Sequence, residues 1–166
     1  MAHAMFRSDN MEGTLDGKFL VSLYISTEAG LDNGNVVKVG GLKTGEREVR
    51  SYTTPAATDS LADIAILGSE EVLKDKKYNS VGEFYNKYGT IARGYKLVQG
   101  DFFAVTPAAL NVASGYTFTV GTTIVELMAG TKLNAADTVT SGSTQVGVLE
   151  AIETEGAVTW LVFRVV

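Results

Sequence analysis

The last nine residues, Val158-Thr-Trp-Leu-Val-Phe-Arg-Val-Val166, put Leu161, Phe163 and Val165 on one face of a strand and Val158, Trp160 and Val162 on the other. Successive side chains of a strand point to opposite faces, so a strand that is apolar on both must be covered on both. A sheet with one solvated face does not satisfy it. Two arrangements do: a central place in a closed barrel, or a second face that meets another subunit.

The same period of two recurs upstream. Phe19, Val21, Leu23 and Ile25 share one face of a strand, and Asn35–Val39 and Asp63–Leu67 are short apolar runs. Asp32-Asn33-Gly34 and Gly40-Gly41 supply the turns between them. Glu46–Tyr52 alternates charge with small or apolar residues, the pattern of an exposed strand whose charges protect a sheet edge. Tyr95–Val98 and Asp101–Thr106 read as paired or kinked strands before Pro107. Tyr116–Val120 and Thr123–Met128 flank Gly121 as one hairpin, and Val146–Ile152 and Val158–Val166 flank the turn Glu153–Gly156 as another. Thr138 to Ser143 is a loop by composition.

Helix signals are confined to the middle. Ser69-Glu-Glu71 and Ser80-Val-Gly-Glu83 have the caps and carboxylates of helix starts, so two short helices are expected within about 69–89. Short strands punctuated by eighteen glycines favour a barrel or sandwich. The fold class expected is mainly β: a small β-barrel or β-sandwich with a short helical insertion at about 69–89 and an extended N-terminal arm. At 166 residues the chain fits one domain. Its expected division is an arm over 1–17 and a single β-rich domain over 18–166. In the arm, Met5, Phe6, Met11 and Leu15 are apolar without helical or strand period, and these four are the expected partner contacts.

Composition removes several function classes. A net charge of −5 gives no basic excess for phosphate backbones, so no nucleic-acid partner is expected. With 45% hydrophobic and 20% charged residues the chain is globular, and no apolar run approaches the ~18 residues of a membrane span. Residues 1–17 lack the apolar core of a secretory signal, so synthesis in the cytoplasm is expected. There is no cysteine, and the one histidine, His3, lies in the arm, which leaves no triad to build.

Each remaining motif has a plain reading. Gly40-Gly-Leu-Lys-Thr-Gly45 has the outer spacing of a phosphate loop, but Glu46 and Arg47 stand where Lys and Ser/Thr are required. Asp9, Asn10, Glu12 and Asp16 lack the order of a calcium loop. Asp32-Asn33-Gly34-Asn35 is a turn before it is a site. Glu153 with Glu155, and Asp59 with Asp63, are turn residues unless they converge across a cleft at about 5–10 Å. Tyr78, Phe84, Tyr85 and Tyr88 lie near Lys74, Lys76, Lys77 and Lys87, the underside and solvated top of short helices or a protein interface. No cofactor and no metal are expected.

Three stretches together resemble the head decoration, or capsid cement, proteins of tailed phages: Leu31–Glu48, Ala92–Thr106, and Val146–Ile152 with Trp160–Arg164. The resemblance covers about 18–52 and 92–166. It implies a β-rich protein without enzymatic activity, assembled in the host cytoplasm, that binds the outer capsid surface. The implied partners are the major capsid protein and further copies of the chain, with a trimer favoured. Two alternatives stand beside it: another virion β-domain of tail, fibre or baseplate that binds a receptor or glycan, and a carboxylate-dependent glycoside hydrolase.

Overall fold

A computed structural model describes residues 3–72 and 82–166. Its strands are β1 (Phe6–Asn10), β2 (Leu20–Tyr24), β3 (Val36–Leu42), β4 (Val49–Thr53), β5 (Ile64–Leu67), β6 (Ile91–Lys96), β7 (Phe102–Val105), β8 (Leu110–Asn111), β9 (Ile124–Glu126), β10 (Leu133–Ala136), β11 (Gln145–Glu155) and β12 (Val158–Val165). β2 to β6 close into a five-stranded barrel in the order β2-β4-β3-β5-β6, and the others form a seven-stranded sheet, β1-β7-β12-β11-β9-β10-β8. The chain is mainly β, with a closed barrel.

Strand β5 explains how the two parts fit. All four of its residues are buried, and they alternate between two cores. Ala65 and Leu67 point into the barrel with Leu23, Ile25, Val37 and Ala92. Ile64 and Ile66 point outward and pack, with Val36 and Tyr95, against Phe103, Leu161 and Phe163 of the sheet. The barrel is narrow: a Cβ on Gly94 would lie 2.8 Å from Leu23 Cδ1 and 3.1 Å from the Cβ of Ala65. Fully burying each such large side chain is worth about 1.5–3 kcal/mol.

β12 is central in the open sheet, between β7 and β11. Leu161, Phe163 and Val165 face the barrel wall. Trp160 and Val162 face the other way, in a small cluster with Ala104 and the partly buried Met5, Phe102, Ala151 and Val158. The two-sided strand therefore has one deep core and one shallow one.

Several expectations need correction. Residues 3–17 are not a free arm but are built into the sheet and its core. β1 pairs antiparallel with β7, Phe6 opposite Val105. Side-chain acceptors pin the segment: Asp32 takes Ala4 N–H at 3.1 Å, Thr106 Oγ1 takes Met5 N–H at 3.1 Å, and Asp101 takes Glu12 N–H at 3.0 Å. Between these pins Met11 is wholly buried in the main core. The one α-helical turn of the described residues, α1 (Glu12–Leu15), follows directly. Residues 69–72 and 82–89 contain no helix, and the rest of the expected helical insertion lies outside the described residues.

β4 is not a sheet edge; β2 and β3 flank it in the barrel, its one charged residue, Arg50, is exposed, and Glu46 to Glu48 precede the strand. β6 and β7 do not pair with each other, because the turn bonded from Asp101 N to Val98 O carries the chain from barrel to sheet. Tyr116–Val120 is not a hairpin arm. Thr123 N–H bonds Thr119 O locally at 2.8 Å, while Tyr116 and Phe118 lay their rings on the core as an edge-to-face pair. The last hairpin turns later than expected, at Gly156-Ala157, with Glu153 to Glu155 still in β11.

Candidate functional site

The long β11–β12 hairpin places Trp160, Val158 and Ala157 beside the 3₁₀ turn Pro107–Ala109 and the first described residues of the chain. Between them lies an open groove of ≈ 690 Å³. Its walls are mainly apolar, from Met5, Pro107, Ala108, Ala157, Val158 and Trp160, with His3, Thr106, Thr159, Gly82 and Glu155 at the rim. Pro at the first position of the 3₁₀ turn has no N–H to satisfy, so this wall carries little backbone polarity.

Trp160 is the only tryptophan of the chain and 7% exposed. Its indole Nε1–H donates to Glu155 Oε2 at 2.9 Å, and the guanidinium of Arg7 lies 5.1 Å from the ring centroid. Arg7 also bonds Asp9, reaches Glu153 Oε2 at 2.5 Å and stands 3.6 Å from Glu155 Oε2. Hydrogen bonds donated to Asp9 and Glu153 hold that guanidinium charged well above its ordinary range. Three carboxylates thus share one cation at this rim. On the opposite rim His3 Nδ1 lies 2.6 Å from Asp32 Oδ1 and the His3 ring stacks on Tyr85 at 4.7 Å.

Of the four apolar residues singled out in the sequence, the fold brings only Met5 to this groove. Phe6 packs on Tyr95, Met11 is committed to the core, and Leu15 is 81% exposed elsewhere. Trp160 and Glu155 belong to the groove and were read from the sequence only as strand and turn. The signal available was the lone tryptophan on the less covered face of a two-sided strand.

The other motifs resolve into structure. Glu153 and Glu155 are bridged by Arg7, and only Glu155 lines the groove, so the two do not face each other across a cleft. Asp59 accepts from Lys38 Nζ at 2.6 Å and from Ala56 N–H at 2.8 Å, which draws its carboxyl below the usual range. Gly40 lies against Ser51 of the neighbouring strand, and Gly45 turns the β3–β4 connection with φ +83. Asp32-Asn33-Gly34-Asn35 is a hub: Asn33 Oδ1 accepts from Ser69 N–H and Asn86 Nδ2, and Asn33 Nδ2 donates to Ser69 O. Asp9, Glu12 and Asp16 do not converge, and among the described residues no group of three or more His, Asp or Glu is placed to hold a metal. Phe84 is buried and Tyr88 exposed, while Lys74, Lys76, Lys77 and Tyr78 lie outside the described residues.

Compared with family models, with curated proteins and with solved structures, the chain has no match.

Proposed function

We propose that the chain is a structural virion protein that binds the outer surface of a phage capsid and reinforces the shell, without catalysing a reaction. In this reading its partners are the major capsid protein and other copies of itself, as a trimer, on particles assembled in the host cytoplasm. One observation carries it: the second face of β12, with Trp160 at its centre, is covered only by a shallow cluster and opens onto an apolar groove. Exposed apolar area rimmed by polar groups is what contact with another protein uses. The β-rich architecture and the three sequence stretches that resemble cement proteins support the same reading.

A glycan-binding fibre domain is less well supported, because the groove wall is mainly apolar and offers few of the polar side chains that hold sugar hydroxyls. The hydrolase alternative lacks support, because Glu153 and Glu155 share the cation Arg7 and Asp59 is held by Lys38. The test is to mix the purified full chain with capsids that lack it, then sediment and image the particles. Saturable binding as a repeating surface feature, with a raised shell melting temperature, is expected. Particles that stay bare at saturating protein overturn the reading.

A further inference from the structure

We propose that the groove beside Trp160 takes an extended basic segment of a partner protein, its apolar side chains against Trp160, Met5 and Pro107 and its Lys or Arg heads on the carboxylates at the hairpin tip. The proposal deepens the reading above, in that it names the chemistry of the surface the chain would dock on.

The charges select this occupant. Among the described residues that line the groove Glu155 is the one carboxylate, and none is Lys or Arg. Its side chain is 69% exposed, and of its two oxygens Oε2 takes the bond from Trp160. Oε1 accepts no hydrogen bond among the described residues. Glu153 and Asp9 stand beside it, and Arg7 is the one cation among the three. Lys132, beside the Pro107–Ala109 wall, is engaged by its bond to Ala108 O at 2.7 Å. A Lys or Arg stem lies along apolar wall while its head reaches a carboxylate, which is what this groove offers at one end. A second copy of the same face is disfavoured, since it brings the same excess of carboxylates over cations, Asp9, Glu153 and Glu155 around one Arg7, in a chain of net charge −5. Phosphate-rich partners are disfavoured by the same carboxylates.

Because Trp160 is the only tryptophan, its emission reports the groove directly. The experiment titrates the full chain with a blocked heptapeptide alternating lysine with leucine and valine, and with two controls carrying serine or glutamate for lysine. The lysine peptide is expected to shift Trp160 emission saturably, less so as salt rises. Glu155→Gln keeps an acceptor for the indole and removes the charge, and should weaken that binding about two- to five-fold. Ala108→Phe, an exposed position on the groove wall, should abolish it while the melting temperature is unchanged. Absence of a saturable shift, equal binding of the glutamate or serine peptide, or unaltered binding in both variants would overturn the proposal. So would self-association in sedimentation that Ala108→Phe removes, which would give the groove to a second copy. Failure here with intact capsid binding leaves the proposed function standing on another surface; failure of capsid binding with an intact peptide site does the reverse.

Discussion

Thr140 holds the buried carboxylate of Glu126 twice, through its backbone N–H to Oε2 at 2.7 Å and through its hydroxyl to Oε1 at 2.7 Å. Asn134 Nδ2 adds a third bond at 2.9 Å. Burial pushes the carboxyl up, but the bonds from Thr140 and Asn134 outweigh it and hold the group below its ordinary 4.5. A carboxylate with a lowered folded pKa stabilises fully above about pH 4.5, and that contribution is lost as pH falls through the folded value. Glu126→Gln turns an acceptor into a donor facing donors, at a cost of about 1–3 kcal/mol near neutrality. In a domain of this size each kcal/mol lowers Tm by about 2–4 °C. Melting curves from pH 7 to pH 3 should show the wild type losing stability over this window and the variant losing less.

Met11→Ala should cost about 2–5 kcal/mol, since the side chain is wholly buried among residues of the sheet and the barrel wall. Leu15→Ser, at an exposed position four residues on, should stay within about ±0.5 kcal/mol. Urea denaturation distinguishes the two. Equal and small effects would restore residues 3–17 to the status of a loose arm.

Asn33→Ala removes the partner of both Ser69 N–H and Ser69 O, while Asn86 Nδ2 keeps its bond to Leu31 O. A buried polar group left unpaired costs about 1–3 kcal/mol. Hydrogen exchange should accelerate first at Ser69 and Asn86, before the barrel strands respond.

Gly94→Ala places a methyl against Leu23, Val21 and Ala65 inside the barrel. Overpacking of this kind costs about 1–3 kcal/mol. Tm should fall by an amount the same substitution at Gly41, which faces open space, does not reproduce.

What could be read from the sequence follows from where each element finds its partner. β12 is apolar on both faces, so burial on both sides was legible from alternation alone, as was the interior row Leu23 and Ile25, whereas β5 was read only as a short apolar run. β1, β8 and β10 were not: Phe6 pairs with Val105 and Leu133 with Leu110, and these short strands have no period of their own. Tyr116–Val120 misled for the opposite reason. Its residues favour strands, but Thr119 and Thr123 satisfy their backbone groups within one turn, and no ladder is left for the segment to join. The groove was illegible because only the fold brings Met5 and Pro107 beside Val158 and Trp160, from three distant parts of the chain.

The double commitment of β5 also bears on how this protein can be taken apart. Ile64 and Ile66 serve the sheet while Ala65 and Leu67 serve the barrel, so no cut separates the two without leaving one of them an apolar wound. The barrel is not a transplantable module. A fragment that ends between β6 and β7 keeps every barrel strand yet bares Val36, Ile64, Ile66 and Tyr95 to water, and it should clump rather than fold. Evolution faces the same restriction: a residue admitted at any of these four positions must suit its own core without shifting a strand that the other core also grips.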